Sequence, residues 1–103
     1  MKATRTDCLV APLGERALEV VGYEVRLPEG MEAGRHRHAY STVVRVLEGV
    51  YRFQVDAGVA KDYTVGEIFS EPAGTIVSGK AVTATTLWVV LVREPGVPEA
   101  RPA

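Results

Sequence analysis

The sequence predicts an all-β domain, and three observations carry that prediction. Seventeen valines and eight threonines in 103 residues enrich the chain in β-branched side chains. Such side chains are stiff at the first torsion and fit a pleated surface better than a helix. Ten glycines and six prolines cut the chain into short pieces. Several pieces alternate apolar and polar residues with the period of two expected of a half-buried strand. Short strands separated by Gly/Pro turns indicate a sandwich, a closed barrel or a jelly roll, and no stretch has the pattern of an amphipathic helix.

The elements follow in order. Residues 1–16 read as an N-terminal arm, expected as a strand contributing to a dimer. Ala17–Leu27 is a long strand in which Gly22 marks a bulge or bend. Pro28, Gly30 and Gly34 form a loop, and Arg35–Leu47 extends to a turn at Glu48-Gly49. Val50–Val55 places Tyr51, Phe53 and Val55 on one face and Val50, Arg52 and Gln54 on the other. Asp56-Ala57-Gly58 is a turn, Ala60–Val65 a weak strand and Gly66-Glu67 a further turn. Ile68-Phe69 leads into the loop Glu71-Pro72-Ala73-Gly74. Thr75–Val77 follows and is broken by Ser78-Gly79-Lys80. Thr85–Arg93 is nearly continuous in apolar residues, so it is expected to be buried on both faces, centrally in a sandwich or under a partner subunit. The barrel thus spans 17–94, and the Pro-rich segment 95–103 is expected to be a flexible tail.

Charge and composition exclude several classes. Twelve basic residues stand against thirteen acidic ones, giving a net charge of −1. That balance lacks the concentrated basic patch of a nucleic-acid binder. No apolar run approaches the ~18 residues of a membrane-spanning helix. The N-terminal apolar run, Cys8 to Ala11, is too brief for the core of a secretory signal. The expectation is a cytoplasmic protein with no nucleic-acid or membrane partner. Cys8 is the only cysteine, so no intrachain disulfide can form, and it reads as a small hydrophobe rather than a nucleophile.

His36 and His38 are the only histidines. Residues i and i+2 of a strand point to one face, so an extended Arg35–Leu47 projects both imidazoles together and sends Arg35 and Arg37 to the other side. Tyr40, Thr42, Val44 and Val46 share the histidines' parity if no bulge intervenes. Imidazole is a ligand for zinc, copper, nickel and iron. Two imidazoles make half of a metal site, since four-coordinate sites need further donors. The bland alternative is a solvated basic RHRH edge.

The segment Gly30–Gly49, GMEAGRHRHAYSTVVRVLEG, resembles the first cupin motif, with Gly30, His36, His38 and Gly49 in register. Gly66–Ala81, GEIFSEPAGTIVSGKA, resembles the second, with Gly66, Pro72 and Gly74 in register. The resemblance implies a cupin jelly roll, the double-stranded β-helix barrel, with an interior cavity faced by the His36–Leu47 and Thr75–Val77 strands. It also implies that Gly49 and Gly66 occupy turns where positive φ is useful. Many cupins hold a divalent metal on the two histidines and a glutamate of the first motif and a histidine of the second. Here the glutamate position is Thr42 or Val43, depending on spacing, and the second-motif histidine position is Val77. The motif's asparagine position is Ala81. The implied metal set is therefore the incomplete pair His36 and His38, a weak site for Zn, Ni, Fe, Mn or Cu. Completion would fall to water, Tyr40 or a substrate oxygen. Cys8 and Glu71 are further donors that no spacing favours.

With the barrel assumed, Tyr51 and Phe53 form an aromatic wall beside His36, His38, Tyr40, Thr42 and Val77, which together line a pocket. The leading expectation is a small-molecule-binding cupin with a weakened or absent metal site. A metal-dependent oxidoreductase of the dioxygenase kind, or an isomerase, is the second. Its two histidines resemble a facial triad missing the carboxylate. A non-catalytic structural or interaction module is the third. No catalytic residue is assigned. Acid–base work by the histidines lacks an orienting carboxylate at matching parity in their own strand. The apolar strands Ala17–Leu27 and Thr85–Val92 exceed what one small barrel needs to bury, so a homodimer through the outer face of one sheet is expected.

Overall fold

The computed structural model of the chain describes residues 2–14 and 17–103. The remaining positions of the 1–16 arm, 1, 15 and 16, lie outside the described residues. The described residues form ten strands: β1 (Thr4–Pro12), β2 (Glu19–Leu27), β3 (Glu32–His38), β4 (Thr42–Glu48), β5 (Tyr51–Val55), β6 (Lys61–Tyr63), β7 (Ile68–Glu71), β8 (Val77–Ala81), β9 (Thr85–Arg93) and β10 (Ala100–Pro102). They form two five-stranded antiparallel sheets, ordered β1-β2-β9-β4-β7 and β10-β3-β8-β5-β6. Chain neighbours repeatedly fall in opposite sheets, as in a jelly roll. The fold is an all-β cupin barrel.

The period of two explains the core. In β4, Thr42, Val44 and Val46 are buried and Val43, Arg45 and Leu47 are exposed. In β9, Thr85, Leu87, Val89 and Leu91 are buried, whereas Trp88, Val90 and Val92 on the other face are only half-buried. The strand is central in its sheet, but burial on both faces is not reached within one chain. Trp88 lies on the outer face, over Gly22, where a Cβ would stand 3.0 Å from the indole ring. Inside, Tyr51, Phe69 and Phe53 stack in that order, with ring centroids 5.7 and 4.3 Å apart. Their large apolar faces form part of the core.

The tertiary structure corrects several local expectations. Arg35–Leu47 is two strands in different sheets, joined by a turn at residues 39–41. Parity is therefore not transmitted from His38 to Thr42; both side chains are buried because each strand turns its own face inward. The expected break at Ser78-Gly79-Lys80 does not occur. β8 runs through it, pairing with β3 and β5. Gly79 is there for a steric reason, since a Cβ would collide with the Tyr51 ring. Val55, expected inside with Tyr51 and Phe53, is exposed at the strand end. Gly49 sits at φ 81°, and a Cβ there would also run into the carbonyl of Ala84.

The ends of the chain are ordered against the barrel. β1 pairs along β2 of the same chain from Thr4↔Arg26 to Pro12↔Glu19, with a bulge between Asp7 and Leu9. The expected flexible tail instead ends in β10, which pairs with β3 through Ala100↔His38, Arg101↔Arg37 and Pro102↔His36. Pro95 and Pro98 precede that pairing and Pro102 takes part in it, which is tolerated because the strand is short and lies at the sheet's edge. No helix among the described residues is long and apolar enough to cross a membrane.

Candidate metal centre

β3 delivers both histidines to the interior. A register shift between Ala33 and His36 re-aims the strand just before the pair. His36 and His38 then stand with ring centroids 5.1 Å apart and their planes nearly perpendicular. β7 delivers a third donor from the opposite sheet. Phe69 and Glu71 share a face of that short strand; Phe69 is buried in the core, so Glu71 must also turn inward. Its Oε2 lies 2.8 Å from His38 Nε2 and 3.3 Å from His36 Nε2. The three ligand atoms all fall within 4.8 Å of one another.

The far sides of the rings decide the protons. His36 Nδ1 is 2.6 Å from the carbonyl of Gly34, and His38 Nδ1 is 3.0 Å from the carbonyl of Glu99. A carbonyl only accepts, so each Nδ1 is assigned as the donor. With both rings neutral, each Nε2 is a bare lone pair aimed at a carboxylate oxygen. Glu71 Oε2 is buried and meets no donor in that state. Three lone pairs converging in a low-dielectric site repel unless a cation sits among them. The donor set therefore fits a divalent metal, and the Nδ1-to-carbonyl tethers are the orientation that metal-bound histidines typically have. Protonation is the alternative cation. Donating a hydrogen bond to Glu71 raises the His36 pKa above its ordinary value, against the opposing effect of burial. For Glu71, burial pushes the carboxyl up, but hydrogen bonds and charge from His36 and His38 outweigh it and bring it down to about 2. Glu71 is anionic either way.

A cavity of about 410 Å³ opens onto these donors. Tyr23, Val25, Leu87 and Val89 give it an apolar wall, and Thr42 and Tyr51 face it beside His36, His38 and Glu71. Thr42 is 1% exposed, and its hydroxyl has no hydrogen-bond partner among the described residues. Burial raises the Tyr51 hydroxyl pKa, so it stays protonated at neutral pH. Also in the lining, Arg5 lies 3.7 Å over the Tyr23 ring and is bound by both carboxylate oxygens of Glu99, at 2.6 and 2.9 Å.

Of the pocket residues read from the sequence, His36, His38, Thr42 and Tyr51 line this cavity together. Phe53 does not; it is packed between Phe69 and Tyr63. Val77 is fully buried opposite His36 in the sheet, outside the lining. Tyr40 sits in the β3–β4 turn, its hydroxyl donating to Glu94 at 2.8 Å. Cys8 is exposed on β1. Glu71 was discernible through its parity with Phe69, a signal the motif spacing does not use. Arg5 and Glu99, near the two chain ends, carried no sequence signal for this site.

A small antiparallel barrel with a histidine pair and a carboxylate lining an apolar cavity defines a cupin-like barrel with a candidate metal site. The Cupin domain family model matches residues 23–90, and the chain belongs to that family. No curated protein matches it. Among solved structures, it is similar to KdgF from Halomonas sp., at TM-score 0.74 and 17% identity over 89% of this chain and 78% of that one. A conserved protein of unknown function from Streptococcus pyogenes aligns at TM-score 0.69 and 22% identity, over 93% and 77% of the two chains. Salicylate 1,2-dioxygenase from Pseudaminobacter salicylatoxidans aligns at TM-score 0.65 and 25% identity over 69% of this chain, but only 20% of the dioxygenase. These likenesses establish the fold.

Proposed function

We propose that this cupin holds a divalent transition-metal ion on His36, His38 and Glu71 and binds a small organic molecule by an oxygen atom in the adjoining cavity. The observation that carries the reading is the convergence of two tethered Nε2 lone pairs on Glu71 Oε2. Two histidines and one carboxylate are the donor set of non-haem iron sites, and a like set holds catalytic zinc, so these three residues would hold such an ion. Such an ion supplies Lewis acidity, and in a redox-active metal electron transfer, to a ligand oxygen.

The chain's own residues do the rest. Glu71 offsets one unit of a divalent charge, leaving a centre that favours an anionic oxygen such as a carboxylate or enolate. The Arg5–Glu99 pair is already neutralised internally and adds no free charge. Thr42 offers its hydroxyl to the ligand oxygen or its neighbour, which would satisfy a group that is otherwise buried without a partner. Tyr23, Tyr51 and the aliphatic wall exclude water and fit a flat or aliphatic body. A metal-dependent oxidoreductase or isomerase is the enzymatic form of this reading, and the dioxygenase among the structural relatives supports the former. The reading includes a homodimer through the outer face of the β1-β2-β9-β4-β7 sheet, where Trp88, Val90 and Val43 leave apolar surface half-covered.

The deciding experiment is elemental analysis of protein purified without chelator, followed by titration of the stripped chain with Mn²⁺, Fe²⁺, Co²⁺ and Zn²⁺. One ion per chain is expected. Glu71→Gln and His38→Ala should each weaken it by more than the ~100-fold that loss of an outer-shell partner costs. A stripped chain that takes up none of these ions, yet still binds small carboxylates, would favour the metal-free binding module instead.

A further inference from the structure

We propose that the C-terminal segment 99–103 is a strap that completes the metal centre, with Glu99 as the positioning residue for His38. The inference rests on the metal reading above and adds to it a coupling between tail and site.

Glu99 engages the barrel in two independent ways. Its backbone carbonyl holds the Nδ1 proton of His38 and so fixes the tautomer that aims Nε2 at Glu71. Its carboxylate binds Arg5 of β1 through both oxygens and accepts a third bond from Arg93 of β9 at 2.8 Å. Arg93 is itself tied to Glu19 of β2. One side chain thereby clamps the tail to three strands of one sheet, while the next three residues pair with β3 of the other. That pairing runs along the strand bearing both histidines, on its otherwise free edge. Glu99 and Ala100 also form part of the cavity wall. When the strap lifts, His38 loses its acceptor, β3 becomes an edge strand and the cavity gains an opening beside the ligands.

Coupling between two sites is reciprocal, so a strap that strengthens metal binding must itself be held by the metal. The full-length chain and Co²⁺ alone test both directions. Backbone amide exchange in the peptide covering 99–103 should slow several-fold on Co²⁺ saturation, and the slowing should vanish in His38→Ala. Glu99→Gln and Arg5→Met, each loosening the clasp from one side, should weaken Co²⁺ binding by roughly 3–10-fold, below the full ~10–100-fold cost of deleting an outer-shell contact. The visible spectrum of bound Co²⁺ should change as well. Arg52→Met breaks a surface pair with Asp62 remote from the site and should leave both readouts as in the wild type. Co²⁺ binding with equal affinity and spectrum in wild type, Glu99→Gln and Arg5→Met, with exchange in 99–103 indifferent to the metal, overturns the strap alone. Failure of the wild-type chain to bind Co²⁺ overturns both the strap and the reading beneath it.

Discussion

Thr42 of β4 and Glu71 of β7 are cross-strand partners in the same sheet. Thr42 occupies a position where the first cupin motif carries its glutamate, and Glu71 stands directly beside it on the next strand. The carboxylate of this site thus comes from the residue preceding Pro72, one strand over from the Thr42 position. The donor set becomes two histidines and one acid, and the threonine hydroxyl is left facing the cavity.

Thr42→Val tests what that hydroxyl is for. The two side chains share a shape, so the change removes only a buried, unpartnered polar group. The metal-free protein should gain about 1 kcal/mol of stability in denaturant unfolding. Metal affinity should be unchanged, whereas small carboxylates should bind the metal-loaded protein ~10-fold more weakly, the size of one lost hydrogen bond. A stability loss with unaltered carboxylate binding would assign Thr42 to packing.

Acid and base should destabilise the stripped protein for opposite reasons. The Glu71 carboxyl, about 2 in the fold against an ordinary 4.5, contributes stability that is complete above pH 4.5 and lost as pH falls towards 2. Glu99, also held at about 2 by its hydrogen bond from Arg5, adds to the same arm. His36 is raised above 6.5, so its contribution is present below pH 6.5 and fades as pH rises through the elevated value. Melting temperature in chelator should therefore peak between pH 4.5 and 6.5. With metal present the upper arm should reverse, because binding requires imidazoles free of the Nε2 proton.

Gly79→Ala probes the wall of the cavity. The added methyl meets the Tyr51 ring, which also lines the cavity, so the ring must shift. A cost of roughly 1–3 kcal/mol is expected from overpacking, together with weaker ligand binding at unchanged metal content. Urea denaturation and a parallel metal assay separate the two effects.

Light scattering addresses the outer face. Val43 and Val90 are neighbours across β4 and β9, and Gly22 continues the row on β2. A dimer is expected at micromolar concentration, and Val43→Glu with Val90→Glu should convert it to monomer without unfolding. A monomeric wild type at that concentration removes the dimer from the proposal.

How far the sequence reached can be traced residue by residue. Valine enrichment, alternation and Gly/Pro punctuation were enough for an all-β chain, and Thr85–Arg93 is β9 with the bounds read from the sequence. The histidines share a face because neighbours two apart on any strand do. These are local properties, fixed by a dihedral preference or by the period of the pleat. The metal centre and the strap depended on something else. Glu71 reaches His38 from the opposite sheet, and Glu99 reaches Arg5 across 94 positions of chain. Such meetings are set by which strands hydrogen-bond and in what register, and they follow from the packing of the whole barrel rather than from the spacing of any motif.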